Sequence, residues 1–110
     1  MISLHVYLTP KAGKKRELES AVRDEWLEAM SEQPGFLSAA VVKPFSDEEL
    51  ERLGGLRPEP AIEAISFWSS DNERLEWVAT PLHDQVFARV VEASDSVTYT
   101  LQTVEQDWNL

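Results

Sequence analysis

Trp68, Trp77 and His83 fall in one stretch, ISFWSSDNERLEWVATPLHDQVF, running from Ile65 to Phe87. Histidine titrates near neutrality, so it can take or give a proton at a bound molecule. Tryptophan supplies a broad apolar wall with a single N–H donor at its edge. A strand ending in Phe67 and Trp68 turns through Ser69 and Ser70 into a helix bearing Trp77. That helix breaks at Thr80-Pro81 and restarts with His83 in its first turn, since the fixed φ of proline suits the opening helical position. The three residues thus sit on elements that must pack together, and the stretch marks a candidate pocket. The plainer alternatives are packing tryptophans at a helix–sheet junction and a surface histidine bonded to Thr80 or Asp84.

The elements that would position them follow from hydrophobic periodicity. Residues 2–9 alternate Ile2, Leu4, Val6, Leu8 against Ser3, His5, Tyr7, Thr9, which is strand spacing. From Lys14 to Ser31, Leu18, Val22, Trp26 and Met30 recur at four-residue steps and make one helical stripe. By its place in that stripe, Trp26 reads as core. Pro34-Gly35 ends the helix. Phe36 to Phe45 reads as a second strand, with Pro44 at an edge or terminus.

Residues 46–60 form an inserted connection between strands 2 and 3. Ser46 and Glu49 predict a capping box for a short helix stopped at Gly54-Gly55. Ala61 to Trp68 is the third strand. Ser70 and Glu73 form a second candidate capping box for a helix with Leu75, Val78 and Ala79 on one face. The resumed helix carries Leu82, Val86, Phe87 and Val90, and Ser96 to Glu105 is the last strand. The order is βαββαβ in an α+β chain, a ferredoxin-like four-stranded antiparallel sheet with its helices on one face. Residues 1–110 read as one domain. The second sheet face is half-apolar and has no helix to cover it. Pairing that face with a second copy predicts a homodimer with an approximate barrel.

Composition excludes several classes. The chain has 110 residues and no cysteine, so disulfides, thiol chemistry and cysteine-rich zinc sites are absent. A net charge of −10 argues against partners that need a basic surface, nucleic acid and anionic membranes among them. No run approaches a membrane span, and MISLHVYLT reads as a strand rather than a signal peptide, which predicts a cytoplasmic location. Two histidines, His5 and His83, far apart in the chain, match no usual metal-ligand spacing. No strand–turn–nucleophile motif or phosphate-binding loop is present.

The segments LHVYLTPKAGKKRELESAV, EQPGFLSAAVV and ISFWSSDNERLEWVATPLHDQVF together resemble antibiotic biosynthesis monooxygenase domains of the dimeric α/β-barrel superfamily. The resemblance spans nearly the whole chain, with residues 46–60 as a longer connection. It implies a dimeric barrel in which an aromatic pocket oxidises a phenolic, anthrone or quinol-type substrate without metal or flavin. On that resemblance Trp68, Trp77, Phe67, Tyr7 and Trp26 are candidate walls, and His5 or His83 would move the proton. We therefore take His83 and Trp77 as catalytic candidates, and Trp68, Tyr7, His5 and Phe67 as substrate-binding candidates. Trp77 also resembles the tryptophan of the haem-degrading branch. That branch requires an asparagine in the first strand, where this chain has none, and an iron-ligating histidine near Phe87. Neither haem nor any other cofactor is therefore expected. The alternative function is a non-catalytic dimeric barrel that binds a small ligand or serves as a structural module.

Overall fold

The computed structural model describes residues 1–108. Strand β1 (Ile2–Pro10) is central, with β3 (Ile62–Trp68) on one side and β4 (Ser94–Thr103) on the other. Strand β2 (Phe36–Val42) pairs with the outer side of β3, so the order is β2-β3-β1-β4 with every pairing antiparallel. This is the ferredoxin-like arrangement that the alternation of strands and helices predicts. Pro44 lies beyond the end of β2, where its missing N–H breaks no ladder.

The first helical layer is one continuous coil in three parts: α1 (Lys15–Ser20), a π-helical segment (Ala21–Trp26) and α2 (Leu27–Ser31). The π segment has a cause in the sequence. An α-helix turns about 100° per residue, so a strict four-residue step drifts about 40° each time. Leu18, Val22, Trp26 and Met30 would otherwise swing off the sheet. A wider π turn absorbs the drift, and all four stay at 2% exposure or less.

After β2 comes α3 (Asp47–Leu53), capped at both ends as its sequence predicts. Ser46 accepts the N–H of Glu49 while the Glu49 carboxylate accepts that of Ser46, and Gly54 closes the helix at φ 69°. No residue of α3 is buried. The second layer is α4 (Asp71–Val78) and α5 (Pro81–Ala93). Only half of the capping box expected at α4 forms. Ser70 caps the N–H of Glu73, but the Glu73 carboxylate is taken by the hydroxyls of Ser69 and Ser70. The inward face of α4 also differs from expectation. Leu75 and Ala79 are not buried, while Trp77 is buried and Arg74 and Val78 lie half-buried beside it. In a helix this short one tryptophan outweighs a weak aliphatic row.

The core lies between the sheet and these helices. Leu4, Val6 and Leu8 from β1 meet Ile62, Ala64 and Trp68 from β3, under Leu18, Val22, Trp26, Met30, Trp77 and Val90. The other sheet face carries His5, Tyr7, Ile65 and Phe67, without a helix above them. Register decides which face Tyr99 takes. Tyr99 pairs with Val6, so it projects on the helix side, not from the open face.

Candidate functional site

Thr80 places His83. The Thr80 hydroxyl accepts the backbone N–H of His83 at 3.1 Å and donates to the carbonyl of Trp77 at 2.8 Å. One side chain thus ends α4 and starts α5. The imidazole is then held between two aromatic rings. Trp77 meets it edge-on with centroids 5.2 Å apart, and Phe87, one turn further along α5, stacks on it at 5.4 Å. Its Nδ1 lies 3.3 Å from Asp84 Oδ1, on the solvent side. Only 14% of the side chain is exposed, so His83 is a fixed wall residue and not a free surface histidine.

That wall borders a cavity of about 280 Å³ between helices and sheet. Leu4 and Val6 of β1 and Val97 and Tyr99 of β4 form its floor. Trp26, Arg74, Val78, His83 and Phe87 form its sides. The lining is aliphatic and aromatic apart from a few polar groups, the usual make-up of a small-molecule site. Arg74 was not among the residues expected from sequence. It is only 12% exposed and donates through Nε to Asp71 Oδ1 at 2.7 Å. Trp26, whose stripe reads as core, also reaches the cavity. It is 2% exposed, yet its Nε1–H has no acceptor among the described residues. The signal for Arg74 was its spacing: it lies one turn before Val78 and so shares that residue's face. For Trp26 the stripe alone could not decide, because a core tryptophan and a wall tryptophan follow the same period.

The remaining expected residues lie elsewhere. Trp77 backs His83 but does not line the cavity, and its own Nε1 is buried without a partner among the described residues. Trp68 is sealed in the core at 0% exposure, donating to Ser66 Oγ at 3.1 Å with Phe36 edge-on against it. The sheet wall expected near Trp68 and Tyr7 is therefore corrected to one near Leu4, Val6, Val97 and Tyr99. The alternation of β3 points Trp68 inward, but beneath the start of β2 and not toward β4.

His5, Tyr7 and Phe67 occupy the open face, separated from His83 by the sheet itself. There His5 Nε2 lies 3.0 Å from Ser3 Oγ, and His5 Nδ1 lies 2.9 Å from Glu63 Oε2, a diagonal cross-strand contact. Tyr7 bonds Thr100 Oγ1 at 3.1 Å. Ser3, His5 and Glu63 follow the order of a serine–histidine–carboxylate relay. However, β1 pairs on both sides, so its backbone N–H groups are committed to the ladders and none stands free beside Ser3 for an oxyanion. Phe67 and Gln102 border the same shallow depression. The arrangement is a polar network on a surface, and among the described residues no cluster of His, Cys, Asp and Glu could hold a metal.

No family model and no curated relative matches the sequence. Solved structures do match the fold. A mutant form of SnoaB, a cofactor-independent oxygenase from Streptomyces nogalater, superposes with a TM-score of 0.76 at 16% identity, covering 99% of this chain and 97% of that one. A Deinococcus radiodurans protein provisionally assigned as an antibiotic biosynthesis monooxygenase gives 0.75 at 15% identity over 100% and 98%. A dimeric ferredoxin-like protein of unknown function from Bacteroides fragilis gives 0.70 at 8% identity over 94% and 95%. The chain has the fold of antibiotic biosynthesis monooxygenase domains.

Proposed function

We propose that the protein is a cofactor-independent monooxygenase of a small phenolic, anthrone or quinol-type aromatic, working as a homodimer joined through the open sheet face. The observation that carries the reading is His83, clamped between Trp77 and Phe87 on the wall of an apolar cavity. A purely structural module would have filled that space with side chains. The likeness to SnoaB supports the same reading.

The residues define the steps. A planar ring enters between the floor and the contacting pair of Trp26 and Phe87, and the apolar walls exclude water from it. His83, with Nδ1 turned to Asp84, takes the hydroxyl or enol proton on Nε2. The negative charge spreads onto the ring, which then reduces oxygen without help from the protein. With an anthrone, the ring carbon takes up O2, and loss of water from the hydroperoxide leaves a carbonyl. One oxygen atom stays in the product, the other leaves as water, and the substrate carbon supplies the electrons. Purified protein should consume oxygen above the spontaneous rate with some member of a panel of hydroquinones, naphthols and anthrones, and should continue after exhaustive chelation. Uptake that never exceeds the spontaneous rate, for the whole panel, would count against the proposal.

A further inference from the structure

We propose that His5 and Glu63 make the pairing of two copies pH-dependent, with the homodimer favoured when the His5 imidazole carries a proton. The proposal rests on the homodimer through the open sheet face and adds its regulation. The first observation is the distribution of charge. None of the four strands contains a Lys or Arg. Their only carboxylates are Glu63 and Asp95, and Asp95 stands at the start of β4, beside the Thr9 end of β1. His5 is therefore the one strand side chain able to give Glu63 a positive partner. The second observation is geometry. His5 Nδ1 lies 2.9 Å from Glu63 Oε2, and its Nε2 lies 3.0 Å from Ser3 Oγ. A serine hydroxyl donates to a neutral ring and accepts from a protonated one, so the network holds both states in place.

Position gives the pair its effect. Strand β1 is internal, and His5 lies midway along it, opposite Ile65 on β3 and Thr100 on β4. The His5 and Glu63 side chains are already only 18% and 25% exposed before any copy is added. A two-fold axis bisects a face that pairs with itself, so groups near its centre meet their own counterparts. Pairing then strips the remaining water from two Glu63 carboxylates and sets them against each other. Burying an unpaired carboxylate is costly, and like charges across an interface repel. A proton on each His5 offsets both effects. The surrounding groups do not supply that charge. Tyr7 is bonded to Thr100, Gln102 is neutral, and Glu105 and Glu59 at the two ends of the face add only negative charge. The Met1 amino group is cationic but precedes β1 at its outer end. Pairing is thus strongest where histidine is protonated and weakens as pH rises through its titration.

Sedimentation equilibrium tests this by reading the dimer Kd from about pH 5.5 to about pH 8, where carboxylates stay ionised and histidine titrates. His83, the only other histidine, lies on the far side of the sheet. The wild-type Kd should rise roughly tenfold or more toward the alkaline end, a small part of what like charges cost across an interface. Glu63→Gln removes the charge and should give a tight dimer throughout, most visibly at the alkaline end. His5→Gln removes the titrating ring and should hold the weak, alkaline Kd at every pH. Circular dichroism confirms that each variant is folded, and shifts in opposite directions separate the switch from simple damage to the face. A wild-type dimer whose Kd ignores pH, or a dependence that survives both substitutions, overturns the switch and leaves the homodimer standing. A monomer at every pH overturns the homodimer and the switch together.

Discussion

His83 is the side chain on which the proposed chemistry turns, and its surroundings say what it can do. Trp77 and Phe87 fix the ring, Asp84 faces one nitrogen, and the other has no hydrogen-bond partner among the described residues. Removing Trp77 takes away that clamp and a buried aromatic together. Trp77→Ala should therefore lower stability by about 3–5 kcal/mol, measured by urea unfolding, and weaken ligand binding as well. A smaller residue-scale effect sits away from the site. Lys43 donates to Glu19 at 2.8 Å and holds the Glu19 carboxyl below the usual carboxylate range. A lowered value in the folded state gives stability that is fully present above the ordinary carboxylate value. It is lost as pH falls through the lowered one. Lys43→Met should flatten the stability–pH curve across that acid window and change little at neutral pH. An unchanged slope would mean that this exposed pair contributes nothing.

Thr80 is the joint between elements on which the site depends. Its hydroxyl caps α5 and bonds the last turn of α4. Thr80→Ala should cost about 1 kcal/mol of stability, the typical loss for a missing cap, and should reduce turnover because α5 carries His83. Thr80→Ser should preserve both, and equal loss in the two variants would dismiss the hydroxyl's role. Gly35 is the second joint. Its φ of +84° and a built Cβ at 2.5 Å from the Glu73 carboxyl leave no room for a side chain, and its carbonyl accepts from Ser69 N–H at 2.8 Å. Gly35→Ala should destabilise the fold by about 1–3 kcal/mol in thermal melts. At this scale the sequence was largely legible. The caps at Ser46 and Thr80 and the strand alternation each leave a local chemical trace, and the elements follow them. What local pattern missed was direction: which side of α4 faces inward, and which end of the sheet borders the cavity. Those depend on how elements cross, which no spacing within one element records. The π segment is an intermediate case, because the four-residue steps of Leu18 to Met30 contain it once helical drift is considered.

The whole molecule presents a sheet with one covered and one open face. Ile65 and Phe67 on the open face lack a helical cover, which is the ground for the proposed pairing of two copies through that face. Sedimentation at micromolar concentration should give twice the chain mass. Ile65→Lys should shift it toward monomer, whereas a change at Tyr99, on the helix side, should act on the cavity instead. A wild-type monomer would remove the barrel. Among the described residues no helix is long and apolar enough to cross a membrane. The site was only partly legible from the chain. His83 was found through its cap and break, whereas Trp68, Tyr7, His5 and Phe67 were grouped with it because sequence proximity and aromatic character do not say which face of a sheet a residue occupies. The central claim is that His83 takes the proton that starts oxygenation. The most direct test measures oxygen uptake by wild type and His83→Ala with the best substrate of the panel, at equal concentration and folded content. The account predicts a loss of roughly 10²–10⁴-fold, the scale of a missing general base, with stability almost unchanged. Equal uptake by the two proteins would contradict it.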